Sequence, residues 1–263
     1  IFVKCGCHCN CLRKYCCNPY FRIIIPNNRN TVLNFTIPEG KDEPVKGKAA
    51  IEFNLNSKRV PLVIDFSVPD DHLRTVTVNN DTLSTNLFNG HIVVPGKYLE
   101  KSFNRIEISF RAGDLSLNRN DDYLYTLFVP DRASTAFPCF DQPDIKARFI
   151  LTLDLPDGYR AMSNSPATET DSSGNRVTIR FAETQPISTY LFAFAAGKFE
   201  KEEREVNGVK MEMLHREKRP GYVENNADEI FRLHLNSIRW LEKYTGISYP
   251  FDKFSFVLIP SFQ

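Results

Sequence analysis

The chain has 263 residues, 33 basic and 32 acidic, with 42% hydrophobic residues, which is the composition of a globular protein and not of a disordered one. The near-zero net charge gives no general attraction to nucleic acid or to an anionic membrane surface, so neither is expected as a partner. No apolar run approaches the roughly 20 residues that span a bilayer. The chain opens at Ile1 without a signal-peptide pattern, so we expect a fragment whose compartment the sequence does not indicate.

Residues 1–30 are predicted to be a cysteine-rich leader that differs from the rest of the chain. Thiolates at this density can bind zinc or copper, or form disulfides in an oxidising compartment. Zinc modules, however, separate paired ligands by a folded loop, whereas these residues are crowded together. We therefore favour an unstructured leader over a metal or redox module. The cluster contains His8 and six of the seven cysteines: Cys5, Cys7, Cys9, Cys11, Cys16 and Cys17.

Alternation of apolar and polar residues from Thr31 onward predicts short β-strands with one buried face. Clusters of turn-forming residues such as "VNND", "FNGH", "PDGY" and "DSSGN" separate these strands. The pattern predicts a mainly β domain, an antiparallel sandwich or an open, curved sheet. The strand-like runs are "TVLNFTI", "AAIEFNL", "RIEISF", "RFILTLDL" and "RVTIRF".

The pattern changes to helical periodicity near residue 226. Asn226 is expected to cap this helix, with Asp228 and Glu229 in its first turn, and Gly246 and Pro250 are expected to end it. The following run, "KFSFVLIP", predicts a strand buried on both faces. A helix and a buried strand after an all-β stretch predict the start of an α/β domain. The apolar face of the helix is predicted to consist of Ala227, Phe231, Leu235, Ile238 and Leu241.

The stretch "AFPCFDQPDIKARF" contains the residues that most invite a chemical interpretation. No histidine is identifiable as a partner for Cys139, so we predict a buried, inert thiol. Asp141 is predicted to cap a turn by bonding a backbone amide two residues on. The residues alone therefore predict a structural corner. No two of the five histidines form an H-E-x-x-H motif: His8, His72, His91, His215 and His234.

The same stretch resembles the signature of the amino-terminal domain of M1-type zinc aminopeptidases, F-P-C-F-D-x-P followed by K-A-x-F. The segments "STYLFAFAAGKFE" and "WLEKYTGISYPFDKFSFVLIPSFQ" resemble the family in the same order, so the resemblance covers about residues 31–263. Three ordered segments are a more specific signal than one short motif. The matching signature positions are Phe137, Pro138, Cys139, Phe140, Asp141, Pro143, Lys146, Ala147 and Phe149.

The resemblance implies a saddle-like β-domain over residues 31–200 and the start of a thermolysin-like catalytic domain over 201–263. In the full-length enzyme, H-E-x-x-H and a later glutamate would hold zinc, and the motif glutamate would activate the bound water. Those motifs would lie beyond Gln263. The implied partners are a peptide substrate and the chain's own downstream catalytic domain. This chain alone is expected to bind no zinc, to contain no catalytic residue and to be inactive.

The resemblance also places substrate-binding positions at Leu127 and Val129. The family usually has glutamate or glutamine at the second position, where it helps bind the α-amino group of the substrate. Val129 cannot accept a hydrogen bond from an ammonium group. Recognition of the amino terminus would then depend on the downstream exopeptidase glutamate or on a neighbouring residue. A free-standing β-domain that binds a peptide or protein partner is the alternative, and the epoxide-hydrolase branch of the family is a subordinate possibility.

Overall fold

The structure, a computed structural model, describes residues 30–55, 57–58, 61–206 and 208–259. Residues 1–29 of the predicted cysteine-rich leader lie outside these residues. The described part is mainly β, as predicted. Its strands and its α-helix are β1 Asn30–Thr36, β2 Lys46–Asn54, β3 Leu62–Asp65, β4 Leu73–Val78, β5 Asp81–Thr82, β6 His91–Val94, β7 Phe103–Arg111, β8 Leu117–Arg119, β9 Tyr123–Thr126, β10 Lys146–Pro156, β11 Arg160–Ser163, β12 Ala167–Ser173, β13 Arg176–Phe181, β14 Ile187–Ser188, β15 Phe194–Gly197, β16 Glu200–Val206, β17 Val209–His215, α1 Tyr222–Thr245 and β18 Lys253–Val257.

A nine-stranded sheet forms the body of the molecule, in the order β12-β13-β10-β1-β2-β7-β4-β5, with β14 paired to β10. Its pairings are antiparallel except that β1 lies parallel to β10, with Leu33 opposite Leu151. The prediction of antiparallel sheets is therefore confirmed for most of this sheet. Periodicity alone does not reveal a parallel pairing between strands so distant in sequence.

The predicted inward faces of these strands are buried. Phe35 on β1 and Phe53 on β2 are almost fully buried, and so is Leu153 on β10. Phe35 contacts Phe110 of β7 edge-on, with ring centroids 6.0 Å apart. Because successive strand residues point to opposite faces, this alternation leaves the polar residues on the solvent side of the sheet.

A four-stranded sheet, β11-β15-β9-β8, and the two-stranded antiparallel sheet β3-β6 complete the β-rich body. The third multistranded sheet, β16-β17-β18, contains a parallel pair, because α1 connects β17 to β18. α1 packs on this sheet through Ala227, Phe231 and Leu235, which cluster with Met211 and Met213 of β17.

The helix differs from the prediction at its start. α1 begins at Tyr222 after Gly221, whose φ of 70° is the left-handed conformation that glycine adopts readily. The predicted cap at Asn226 is therefore wrong, because Asn226 lies inside the helix and its side-chain amide donates to Tyr222 O at 2.7 Å. Leu241 was predicted to face the core, but it is 52% exposed. The end of the helix at Gly246 is as predicted.

β18 is less buried than predicted. Phe254, Ser255, Phe256 and Val257 are all half-buried, because β18 forms the edge of the described three-stranded sheet and one side of it borders a cleft. Among the described helices, none is both long enough and apolar enough to cross a membrane.

Candidate functional site

Cys139 is buried in the corner between β9 and β10. Its backbone pairs with Asp65 at the end of β3, with Asp65 N–H donating to Cys139 O at 2.8 Å and Cys139 N–H to Asp65 O at 3.0 Å. Burial, with smaller contributions from the charges of Asp141 and Asp65, raises the pKa of the Cys139 thiol well above its usual value. A thiol that does not ionise is a poor nucleophile. The predicted burial of the thiol is confirmed, and its inertness stays a prediction.

Asp141 connects distant segments instead of capping its own turn. The residue two positions on is Pro143, which has no N–H to donate, so the predicted turn cap is wrong. Asp141 Oδ2 instead accepts from Ser134 N–H at 2.8 Å, and Oδ1 accepts from the Thr189 hydroxyl at 2.7 Å. The carboxylate therefore holds the segments before and after the corner together.

Asp65 and His91 extend this polar network, and sequence reasoning missed both. Asp65 Oδ2 accepts from Asp141 N–H at 2.9 Å. Asp65 Oδ1 lies 2.9 Å from His91 Nδ1, so the imidazole N–H donates to the carboxylate. The sequence separation of 76 residues between Asp65 and Asp141 explains why no local signal pointed to the pair.

The predicted substrate-binding positions lie in the loop that follows β9. Leu127 is partly buried, and its N–H donates to Ser116 O at 3.1 Å. Val129 is 53% exposed, whereas Phe128 between them is buried against Phe137, with ring centroids 5.5 Å apart. The loop is thus anchored through Phe128 and leaves the Val129 side chain open to solvent.

A cleft of about 580 Å³ lies beside this loop. Thr126, the last residue of β9, reaches the cleft, whereas Leu127 and Val129 are not among its lining residues. The Thr126 hydroxyl donates to Phe194 O at 3.2 Å and accepts from Phe194 N–H at 3.0 Å, so it fixes β9 to β15. β18 forms the other wall through residues including Lys253, Phe256 and Val257.

The described residues do not fit a zinc site. In ranges 30–55, 57–58, 61–206 and 208–259, no three His, Cys, Asp or Glu side chains are grouped closely enough to hold a metal ion. The four described histidines lie apart in structural settings. His72 contacts Arg111 O at 3.1 Å, and His234 stacks on Phe256 with centroids 4.2 Å apart.

His215 ends β17, and it is buried. Neither ring nitrogen has a hydrogen-bond partner among the described residues.

Residues 26–191 match the family model described as the peptidase M1 N-terminal domain. The chain is 31% identical over 216 residues to aminopeptidase N of Streptomyces lividans, which covers 76% of this chain and 24% of that protein. It is 32% identical over 154 residues to leucyl aminopeptidase of Saccharolobus solfataricus, and the match covers 57% of this chain and 19% of that protein. It is 29% identical over 198 residues to puromycin-sensitive aminopeptidase of Caenorhabditis elegans, covering 74% and 20%. The chain thus spans about a quarter or less of the length of these relatives.

Proposed function

The chain belongs to the peptidase M1 family through its amino-terminal domain, and we propose that it is the amino-terminal part of a zinc-dependent aminopeptidase. Residues 31–200 are the saddle-like β-domain that covers the active site, and residues 201–263 begin the catalytic domain. The names of the relatives support aminopeptidase activity. The resemblance of residues 136–149 to the family signature supports the same assignment.

The observation that carries the proposal is the cleft between the β-domain and β18. One wall contains Thr126, which leads directly into Leu127 and Val129, and the opposite wall is β18 with the segment before it. Apolar and aromatic side chains with a few polar groups are typical of small-ligand and peptide sites. We propose that a peptide substrate binds in this cleft and that the loop at Leu127 and Val129, which follows Thr126 just outside the lining, contacts one end of it.

Zinc would supply a polarised water in the complete enzyme. The family resemblance would place its ligands in an H-E-x-x-H helix and a later glutamate beyond Gln263. The role of this chain is therefore to shape and cover the substrate cleft. Val129 offers no acceptor for the substrate ammonium group, so the downstream part would have to bind it.

The test is to read the gene beyond the codon for Gln263 and to express the continuing protein. We expect an H-E-x-x-H motif, zinc in the purified protein, and hydrolysis of aminoacyl-coumarin substrates that a chelator abolishes. Glutamine in place of the motif glutamate is the matched inactive control. An in-frame stop would contradict the proposal and leave a β-domain that binds a peptide or protein partner.

A further inference from the structure

The carboxylate of Asp65 connects the two-stranded sheet β3-β6 to the corner around Cys139 and Asp141. It receives His91 Nδ1–H on one oxygen and Asp141 N–H on the other, both at 2.9 Å. Its side chain is 22% exposed, and that of His91 is 26% exposed. Charge-assisted hydrogen bonds in such a partly desolvated position are stronger than neutral bonds on the surface. The Asp65 carboxylate therefore restrains the backbone of the corner at Asp141.

The connection continues from the corner to the short 3-10 helix Ala133–Thr135. Asp141 accepts from Ser134 N–H at 2.8 Å, and Ser134 O accepts from Ser67 N–H, two residues after Asp65, at 2.9 Å. The amide of Ser134 is thus held by Asp141, and its carbonyl is held by Ser67 near Asp65. We call this set of contacts, His91–Asp65–Asp141–Ser134, the Asp65 relay.

The relay reaches the loop after β9 through buried Ser116. Thr135 Oγ1 lies 2.8 Å from Ser116 Oγ, and Ser116 O accepts from Leu127 N–H at 3.1 Å. Phe128 O also accepts from Arg132 N–H at 2.8 Å. The backbone of the loop therefore has two polar attachments, one to Ser116 and one to the segment that enters the 3-10 helix.

We propose that Asp65 is a positioning residue that sets the backbone of Leu127–Val129 against a bound peptide. The inference rests on the proposed function, since it takes this loop as facing the substrate. Phe128 anchors the loop on its apolar side, where it packs against Phe137 and Phe192. This aromatic packing fixes how far Phe128 extends into the core, but it leaves the loop free to slide along the surface of the core. The relay removes this freedom, because each of its bonds has a preferred direction.

Hydrogen exchange on the chain itself tests the relay without any assay of activity. In Asp65→Ala we expect the Ser134 and Leu127 amides to exchange about tenfold faster or more, because their acceptors are no longer held in place. The Leu153 amide in β10 is the internal reference for global opening. Asp65→Asn should stay within about threefold of the parent, because an amide oxygen still accepts from Asp141 N–H.

Asp154→Asn is the matched control, because Asp154 Oδ1 accepts from Arg176 Nε at 2.8 Å in the nine-stranded sheet, outside the Asp65 relay. It should leave exchange at Ser134 and Leu127 unchanged. Unchanged exchange in Asp65→Ala, or equal acceleration at Leu153, would overturn the relay.

Kinetics of the continuing protein test whether the relay acts on the substrate. Asp65→Ala should raise KM for peptides about fivefold or more with a smaller change in kcat, and Asp65→Asn should restore KM. An unchanged KM despite faster loop exchange would overturn the positioning role. A continuing protein without peptidase activity would contradict the proposed function, and the positioning role with it, while the exchange experiment would still decide whether the relay exists.

Discussion

Lys253 Nζ on β18 lies 2.7 Å from Glu212 Oε2 on β17, and the Lys253 side chain is only 5% exposed. The same carboxylate oxygen accepts from the Ser255 hydroxyl at 2.9 Å, and Lys201 Nζ lies 3.1 Å from the other oxygen. Burial opposes ionisation of Glu212, but Lys253, Lys201 and Ser255 outweigh it and lower its pKa to about 2. Burial lowers the pKa of Lys253, against the opposing effect of Glu212. This buried cluster joins the edge strand β18 to the rest of its sheet.

Replacing Glu212 with glutamine should destabilise the chain. The change keeps the size of the side chain but leaves the buried Lys253 ammonium without its counter-charge. We expect the free energy of unfolding to fall by about 3 kcal/mol in urea denaturation. Glu107→Gln is the control, because Glu107 pairs with Arg105 at an exposed position and should change stability by less than about 1 kcal/mol. Equal effects of the two variants would contradict the importance of burial.

The stability contribution of Glu212 should disappear in acid. Its pKa lies near 4.5 in an unfolded chain and at about 2 in the folded one, so the folded state favours the carboxylate. The contribution is therefore fully present above pH 4.5 and is lost as the pH falls towards 2. We expect the stability difference between the parent and Glu212→Gln to be constant at neutral pH and to shrink over this range. Urea denaturation at a series of pH values measures it, and a constant difference down to the acid end would refute the assignment.

Periodicity predicted which strand residues face the core, because burial requires apolar side chains at every second position. Leu33, Phe35 and Ile37 are buried as predicted. Periodicity did not predict which strands pair with each other, because the alternation within one strand carries no information about its neighbour in the sheet. The start of α1 was missed for a local reason. Gly221, in the left-handed conformation, precedes the first residue of α1. A glycine is a weaker sequence signal for a helix start than an asparagine, so Asn226 was chosen as the cap.

The candidate site was predictable only where residues act close to their neighbours in sequence. The burial of Cys139 followed from its apolar surroundings and is confirmed. The predicted role of Asp141 as a cap of its own turn was wrong. Its partners Ser134, Thr189 and Asp65 lie apart from it in sequence and are brought to it by folding. Leu127 and Val129 as substrate contacts stay a prediction, since they derive from a resemblance and not from their geometry.

Cys139→Ala should lower stability without changing turnover per folded molecule. The thiol is 4% exposed and packs in the main core, so its removal leaves a small cavity. We expect a loss of about 1–3 kcal/mol in the free energy of unfolding. Alkylation at Cys139, followed by peptide mass spectrometry, should be negligible in the folded parent and fast in urea. A large loss of turnover at unchanged stability would show that the thiol has a chemical role.

Gly113→Ala should destabilise the chain by about 1–3 kcal/mol through a steric clash. An added Cβ would lie 2.1 Å from Thr135 O and 2.9 Å from Val68 Cγ1, so the turn at Ala133–Thr135 would have to move. Gly158→Ala is the matched control, because its φ is 76° but no atom lies within 4 Å of the added Cβ. That variant should cost about 1 kcal/mol from backbone conformation alone. Thermal and urea denaturation measure both variants, and a smaller loss for Gly113→Ala would contradict the close approach.

Val129→Glu tests the substrate side of the proposed function in the continuing protein. The side chain is 53% exposed, so stability should change by less than about 0.5 kcal/mol. A carboxylate there would accept a hydrogen bond from the substrate ammonium group, which Val129 cannot do. We expect about 1 kcal/mol of added binding, or roughly a fivefold lower KM for peptides with a free amino terminus. Val129→Leu is the control and should leave KM unchanged. Peptides with an acetylated amino terminus have no ammonium group, so the parent and Val129→Glu should bind them equally. An unchanged KM in Val129→Glu would place residue 129 away from the substrate amino group and would remove the reason for assigning it to the binding loop.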